Sequence, residues 1–160
     1  MADLRGRPNG KGRCFVIVAS RFNQTVTDRL VAGARACLSA HGVRADDVDV
    51  VSVPGAWELP WAARLAADSG RYDAIIAIGC VIRGETAHFE YVAGPAAQGL
   101  ARVALDANIP VTFGVLTTET DDQAYARAGG ALGNKGWEAA EAALELVDLR
   151  KRMRGRRENA

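Results

Sequence analysis

The chain has 160 residues, of which 49% are hydrophobic and 24% charged, and its formal net charge is +1. This length and composition are typical of one soluble globular domain and exclude a disordered or fibrous protein. The longest uninterrupted apolar run, residues 74–82, is well short of the roughly 17 residues of a membrane helix, so we expect no membrane partner.

Basic residues are concentrated at the two ends of the chain. Residues 1–13 and 150–160 together carry a net charge of +8, which leaves −7 on the body. The run RKRMRGRR could contact nucleic acid through phosphate charges, but a frayed basic end is the simpler interpretation, and we expect no nucleic-acid partner. We predict flexible tails at 1–12 and 153–160 around a single domain at 13–152. The first thirteen residues lack the apolar stretch of a secretory signal, so we expect a cytoplasmic protein.

Strand and helix patterns alternate along the body. Short runs rich in β-branched residues predict strands at 14–19, 48–53, 74–78 and 111–116, and apolar residues at helical spacing follow each of them. The order β-α-β-α-β-α-β-α predicts a parallel sheet covered by helices on both faces. Pro95 would break a helix that runs from His88, so we expect either a kink there or a helix that begins near Gly94.

Three cysteines and one histidine fit a structural interpretation. Cys14, Cys37 and Cys80 are an odd number, show no C-x-x-C spacing and lie in apolar segments. We expect three buried thiols, without a disulfide framework or a metal site. His41 stands at a predicted helix end, where a cation is favourable, and is expected to be structural.

Unusual residues follow the first two predicted strands, at the edge where an open parallel sheet binds ligands. Phe22 would be either an exposed aromatic or a cap on the core, and Asn23 is expected to cap the next helix. Trp57 would pack in the core or form the wall of a pocket for a flat ligand. Glu58 falls in a first helical turn, where a carboxylate can cap the helix or bind a ligand.

The segment RGETAH follows the third strand. Gly84 lets backbone N–H groups approach an anion, Thr86 offers a hydroxyl, and a helix N-terminus follows, which together suit a phosphate. The side chain of Glu85 would repel a phosphate, so we assign any contribution there to the backbone. We place His88 one turn into the helix, where an imidazole could transfer protons near pH 7, although a lone histidine is more often structural.

Two isolated cations follow the fourth strand in an acidic region. Arg127 and Lys135 lie in TTETDDQAYARAGGALGNKG. Such an arginine is usually part of a salt bridge, but it is also the side chain best suited to hold a phosphate with two hydrogen bonds. Both interpretations stay open from these residues alone.

Together these segments resemble the lumazine synthase family over residues of about 13–152. The resemblance is carried by SRFN, VPGAWELP, GCVIRGETAHFEYV, GVLTTETDDQAYARAG and GNKGWEAA, in the family's order and spacing. It implies a flavodoxin-like, three-layer α/β/α sandwich with a four-stranded parallel sheet. It also implies the penultimate step of riboflavin biosynthesis, in which a transferase condenses 5-amino-6-(D-ribitylamino)uracil with 3,4-dihydroxy-2-butanone 4-phosphate and releases phosphate and water. This reaction involves no redox change, so we expect no cofactor.

The resemblance implies a role for each matching position. Those implied to contact the ribitylaminouracil are Phe22, Ala56, Trp57, Glu58, Cys80, Val81, Ile82 and Phe113. Those implied to bind the phosphate are Glu85, Thr86, Arg127 and Lys135, with His88 as the catalytic proton carrier. Phe22 would stack on the uracil ring. Phe113 lies near the start of strand four and would therefore line the pocket of a neighbouring subunit.

The resemblance further implies a homopentamer with active sites between subunits. The stretch 127–135 is compact and lacks the insertion of relatives that stop at pentamers, so the resemblance favours an icosahedral capsid of about 60 subunits, while a lone pentamer and a decamer stay open. Riboflavin synthase is a further partner that the resemblance suggests. Trp57 replaces smaller aromatics and Pro95 interrupts a helix that many relatives leave unbroken, but neither change removes a functional group.

Three other functions stay open on the same scaffold, since a fold does not determine function. A flavin- or lumazine-binding module would need Phe22 and Trp57 but has no use for His88 or Arg127. A structural shell protein would need only its interfaces. A riboflavin synthase of similar architecture would consume lumazine instead of forming it.

Overall fold

Helices and strands alternate through the part of the chain that the structure, a computed structural model, describes, which is residues 3–158. The strands are β1 (Phe15–Ser20), β2 (Val48–Val53), β3 (Ala74–Ile82), β4 (Val111–Thr118), and the short β5 (Ala128–Gly130) and β6 (Gly133–Asn134). The helices are α1 (Gln24–Ala40), α2 (Leu59–Asp68), α3 (His88–Ala107), α4 (Asp121–Arg127) and α5 (Lys135–Glu158).

The four long strands form one parallel sheet in the order β2-β1-β3-β4. Strand β1 lies next to both β2 and β3, with Phe15 opposite Val48 on one side and Ala74 on the other. Parallel neighbours require crossover connections, and the helices that supply them cover the sheet. The predicted α/β/α sandwich is confirmed.

Alternate residues of each central strand pack into two separate hydrophobic cores. Phe15 and Ile17 pack with helices α1 and α5, whereas Val16 and Val18 pack with α2 and α3. All four side chains are fully buried. Full burial of each such side chain contributes about 1.5–3 kcal/mol, so a strand that is apolar on both faces is stable only between two helical layers.

Strand β3 is four residues longer than the predicted strand at 74–78. Its last residues continue the parallel pairing, and Ile82 lies opposite Thr118 of β4. Gly79 obscures this continuity in the sequence, because glycine is rare in strand interiors. A Cβ there would lie 3.1 Å from both Leu59 Cδ1 and Ser20 Oγ, so close packing accounts for the glycine.

The start of α3 and the cap of α1 differ from prediction. Helix α3 begins at His88 and continues through Pro95, so a start near Gly94 is wrong, while a kink at Pro95 stays a prediction. Asn23 stands at the N-cap position of α1, but its side chain makes no capping hydrogen bond. Its backbone is left-handed, with φ of 59°, and the amide Nδ2 instead donates to the Cys80 carbonyl at 3.0 Å.

In the described residues, the N-terminal segment contacts the domain and the C-terminal segment continues α5. The amide of Arg7 donates to Asp148 Oδ2 at 2.8 Å, and the amide of Gly10 donates to the His41 carbonyl at 2.9 Å. Helix α5 continues to Glu158, beyond the expected boundary at residue 152. Residues 1–2 and 159–160 of the predicted tails lie outside the described residues.

Two of the three cysteines are buried as predicted, but Cys14 is only half-buried. Its Sγ lies 3.8 Å from Asp47 Oδ1 at the start of the sheet. The structural interpretation of His41 agrees with its contacts, because Nδ1 lies 2.8 Å from the Cys37 carbonyl and the ring meets Trp137 edge-on. Over residues 3–158, no helix has both the length and the apolar character needed to cross a membrane.

We predict that Gly136→Ala destabilises the fold, because α1 and α5 touch backbone to backbone. A Cβ at Gly136 would lie 1.9 Å from the Leu30 carbonyl oxygen. We expect a loss of about 1–3 kcal/mol in the free energy of unfolding. The control is Gly94→Ala in α3, where a Cβ meets nothing within 4 Å. Helix propensity makes that change neutral or stabilising by up to ~1 kcal/mol. Equal midpoints of thermal unfolding in the two variants would contradict the prediction that the contact at Gly136 leaves no room for a Cβ.

Candidate active site

A cleft of about 830 Å³ opens at the carboxyl ends of β1, β2 and β3. We call it the main cleft, and its lining residues are Phe22, Pro54, Gly55, Ala56, Trp57, Glu58, Cys80, Val81, Ile82, Gly84, Thr86, His88, Phe89, Tyr91, Val92 and Pro95. The position follows from the topology, because parallel strands direct their following loops to one edge of the sheet.

Exposed aromatic rings form part of the main cleft. Phe22 and Tyr91 are each 72% exposed and Trp57 is 60% exposed, so none of the three is a core residue. The interpretation of Phe22 as a cap on the core is therefore wrong. Large rings that face a cleft offer apolar surface against which a flat ligand can stack.

The end of β3 presents its backbone to the main cleft. Asn23 Nδ2 donates to the Cys80 carbonyl, which ties the loop after β1 to this strand. Val81 and Ile82 follow, both half-buried and both part of the cleft lining. Buried Cys80 and Ala56 close the floor of the cleft. Such fixed backbone groups can recognise the polar edge of a heterocycle.

Glu58 has one carboxylate oxygen committed to local structure. Its Oε2 accepts a hydrogen bond of 2.8 Å from the Gly55 amide, which caps the short helical turn after β2. The capping interpretation is therefore confirmed. Glu58 also lines the main cleft, so the cap fixes its position without removing it from the cleft.

The loop from Gly84 to Thr86 leads directly into α3. Thr86 Oγ1 accepts from the His88 amide at 3.4 Å, and His88 is the first residue of the helix, not one turn inside it. Within the described chain no hydrogen-bond partner occupies the imidazole of His88, which is exposed in the main cleft. Glu85 is exposed and does not line the cleft, in keeping with a contribution from its backbone only.

Three predicted site residues lie elsewhere, in a second cleft of about 360 Å³. It runs along β4 and is lined by Phe113, Val115, Leu116, Thr117, Thr118, Gln123, Arg127 and Lys135. Phe113 is 47% exposed there, near the start of β4. Arg127 Nη1 donates to the Gln123 carbonyl at 3.0 Å, whereas Lys135 Nζ lies 2.6 Å from Glu138 Oε2 in a salt bridge.

Charge is divided between the two clefts. Among the described residues that line the main cleft there is no lysine or arginine, and its ionisable side chains are Glu58, Cys80, His88 and Tyr91. The second cleft contains Arg127 and Lys135 and no carboxylate in its described lining. Over residues 3–158, no three His, Cys, Asp or Glu side chains are grouped so that they could hold a metal ion.

The prediction missed one face of α3. Phe89, Tyr91, Val92 and Pro95 line the main cleft although none of them was selected from the sequence. Residues three, four and seven positions after His88 share its face of a helix, so helical spacing could have indicated Tyr91, Val92 and Pro95. Pro95 leaves the start of α3 open between His88 and Gly94 in the sequence, so this spacing has no fixed origin there.

Comparison with known proteins identifies the relatives of this chain. The model of the 6,7-dimethyl-8-ribityllumazine synthase family matches residues 12–151. A 6,7-dimethyl-8-ribityllumazine synthase of Gemmatimonas aurantiaca is 56% identical over 149 residues, which cover 93% of this chain and 91% of the relative. The enzyme of the same name from Chloroherpeton thalassium is 47% identical over 150 residues, or 94% and 97% of the two chains.

The chain belongs to the 6,7-dimethyl-8-ribityllumazine synthase family. Members of this family are enzymes, which agrees with the transferase class and the pathway that the sequence motifs imply. Family membership accounts for the concentration of the motifs at one edge of the sheet. It does not by itself assign a role to any side chain in the two clefts.

Within this family site, we predict that Cys80 is unreactive at neutral pH. Burial, with a smaller contribution from Asp121, raises the pKa of its thiol to about 11. Because the thiolate is the reactive form, alkylation by iodoacetamide at pH 8 should be about 100-fold slower than in the unfolded chain. The neutral thiol favours the folded state, so this contribution to stability is lost as pH rises from 9 toward 11.

Mass spectrometry of the alkylated protein measures this rate. Cys80→Ser identifies the adduct that belongs to this position. Labelling of Cys80 at pH 8 as fast as in the unfolded protein would contradict the raised pKa.

Proposed function

We propose that this chain forms 6,7-dimethyl-8-ribityllumazine from 5-amino-6-(D-ribitylamino)uracil and 3,4-dihydroxy-2-butanone 4-phosphate, with release of phosphate and water. The site comprises the main cleft of one subunit and the second cleft of its neighbour. The observation that carries this proposal is the division of charge. The main cleft has the aromatic rings and His88, whereas Arg127 and Lys135 lie in the other cleft.

A phosphate ester needs cations that the main cleft does not provide. Its described lining has no arginine or lysine, and the carboxylate of Glu58 would disfavour an anion close by. Arg127 can offer two parallel hydrogen bonds to phosphate oxygens, and among the described residues no carboxylate pairs with it. In a symmetric assembly, the second cleft of one subunit can face the main cleft of its neighbour. The aromatic rings and His88 then lie in the same site as Arg127 and Lys135.

The ribitylaminouracil binds in the main cleft. Its ring stacks on Phe22, and the backbone from Cys80 to Ile82 recognises the polar edge of the uracil. The ribityl chain lies along Ala56, Trp57 and Glu58. Exposure of both aromatic rings supports this assignment, because apolar surface in a cleft gains from being covered by a flat ligand.

The phosphate binds where the Glu85–Thr86 segment leads into α3. Helix α3 has 20 residues, and the free N–H groups at its start favour an anion. Thr86 adds its hydroxyl, and Arg127 of the neighbouring subunit adds the charge. Lys135 supports the site from a greater distance, since its ammonium group is already paired with Glu138.

The reaction needs alignment and proton transfer. The ring amine attacks the ketone, water leaves to give an imine, phosphate is eliminated, and the ribitylamino nitrogen closes the second ring with loss of another water. Holding two substrates side by side lowers the entropic part of the barrier. His88, whose imidazole is exposed at the start of α3, transfers protons, which contributes roughly 10²–10⁴ in rate.

The assembly is a homopentamer, and the compact turn after α4 favours a closed shell of pentamers. The stretch from Arg127 to Lys135 contains only the β5-β6 hairpin between α4 and α5. Exposed Phe113 on β4 supports an interface there, because aromatic residues are enriched in the buried part of subunit contacts. Light scattering and electron microscopy would distinguish a pentamer, a decamer and a shell, and co-purification would test riboflavin synthase as a partner.

We predict different kinetic losses for His88→Ala and Arg127→Ala. Lumazine formation is followed by absorbance and fluorescence with both substrates and no added cofactor. His88→Ala should lower kcat by about 10²-fold with little change in phosphate affinity, because a proton carrier acts in the chemical step. Arg127→Ala should raise KM for the phosphate substrate by roughly 10- to 150-fold at least, because each charge-assisted hydrogen bond that is lost contributes about 1.5–3 kcal/mol.

The protein-free rate is the control for this assay, because the condensation proceeds slowly without protein. Wild-type activity equal to that background, in well-assembled protein, would overturn the synthase assignment. Tight product binding without turnover would then identify a binding module, and an inert assembly would identify a shell. Consumption of lumazine would identify a riboflavin synthase.

We predict that co-assembly of the two impaired variants restores part of the activity. If each site takes His88 from one subunit and Arg127 from its neighbour, random co-assembly of His88→Ala with Arg127→Ala subunits gives about a quarter of the sites both groups. The variants carry different tags and are co-expressed, and mixed assemblies are isolated through both tags. Assemblies of the double variant with the wild type provide the matched control. Activity no higher than the sum of the two separate variants would show that each site lies within one chain.

A further inference from the structure

Arg83 joins three elements around the candidate site. Its amide donates to the Thr118 carbonyl at 2.8 Å, which extends the contact between β3 and β4. Its guanidinium Nε donates to Glu119 Oε2 at 2.7 Å, after β4, and Nη1 donates to Glu90 in the first turn of α3. The same guanidinium lies over the ring of Phe89, with Cζ 4.3 Å from the ring centroid.

These contacts lie between the two clefts. Phe89 lines the main cleft and Thr118 lines the second cleft, whereas Arg83 lines neither. Glu119 immediately precedes Thr120, whose hydroxyl caps α4, and α4 ends at Arg127. On its other side Arg83 is followed directly by the Gly84–Thr86 loop. One side chain therefore fixes the loop before α3 relative to the loop before α4.

The charge of Arg83 is already matched. Glu90 and Glu119 both accept from its guanidinium and raise its pKa, with the hydrogen bond to Glu90 as the largest cause. In return, the hydrogen bond from Arg83 lowers the pKa of Glu90. A guanidinium that is paired with two carboxylates and stacked on a ring has little charge left to attract a distant phosphate.

We propose that Arg83 is a positioning residue, which holds the Gly84–Thr86 loop in place through Glu90, Glu119 and Phe89 without binding the phosphate itself. This inference rests on the proposed function, since the loop is assigned there to the phosphate substrate. A single exposed ion pair usually has a small effect. Arg83 differs because it pairs with two carboxylates, stacks on one ring and makes a backbone contact between two strands.

Arg83→Met should impair binding of one substrate only. We expect KM for the butanone phosphate to rise about tenfold, while KM for the ribitylaminouracil stays within about twofold and kcat within about threefold. Arg83→Lys should show a smaller rise in this KM than Arg83→Met. An ammonium group can reach one carboxylate, but it cannot bond to Glu90 and Glu119 together as the forked guanidinium does. The matched control is Arg64→Met, which breaks an exposed pair with Asp68 in α2 and should change neither constant.

The pair Glu90→Met and Glu119→Met, which removes both side-chain acceptors of the Arg83 guanidinium, separates positioning from direct binding. If Arg83 acts through these carboxylates, the double variant should show the same tenfold rise in KM, and adding Arg83→Met should cause no further loss. If Arg83 binds phosphate directly, freeing its guanidinium should lower KM instead, which would overturn the proposal. An Arg83→Met variant whose KM values and kcat match those of Arg64→Met would also overturn the proposal.

If the proposed function is wrong, the wild-type protein itself shows no turnover, which distinguishes that failure from failure of the Arg83 proposal. Calorimetric titration with inorganic phosphate then tests Arg83 alone. Binding about tenfold weaker than in the wild type both in Arg83→Met and in the double variant at Glu90 and Glu119, and unchanged in Arg64→Met, supports the positioning role. Equal binding in all these proteins, no binding in any of them, or tighter binding in the double variant would overturn it.

Discussion

The parallel register of the four strands is the constraint on which both clefts depend. Pairing of Phe15 with Val48 and with Ala74 sets β1, β2 and β3 so that their carboxyl ends meet at one edge. Three loops of unrelated sequence therefore reach the same cleft. Side chains buried on both faces of the central strands hold that register, since a shift by one residue would move every side chain to the opposite core.

The second physical feature is the separation of cations from the main cleft. An arginine placed beside Phe22 and Trp57 would have to stay paired or solvated when no substrate is bound. With Arg127 on a different cleft, the aromatic rings and the cation meet only in the proposed assembly. Oligomerisation then completes the site, and the exposed aromatic residues on β4 and in the main cleft gain a common explanation.

The sequence predicts the layers and most of the cleft lining, because strand and helix periodicities are local and parallel strands must end at one edge. Local patterns did not predict the extent of β3, since the reason for Gly79 is its packing against Leu59 and Ser20. Nor could they show that Asn23 donates to Cys80 across 57 positions instead of capping its helix. Such long-range contacts depend on the assembled sheet. The family motifs supplied roles that local chemistry left open, as for Trp57.

Arg83 shows how one chain can contribute to two neighbouring sites. On the proposed arrangement, the main cleft and the second cleft of a subunit belong to different active sites. Its two carboxylate partners are Glu90, in the first turn of α3, and Glu119, in the loop before α4. A displacement of the loop before α4 would therefore be opposed by the same guanidinium that holds the loop before α3. In the proposed assembly, this shared contact lies between two sites. It would define the distance between Thr86 and the neighbour's cation more closely than two separate loops could.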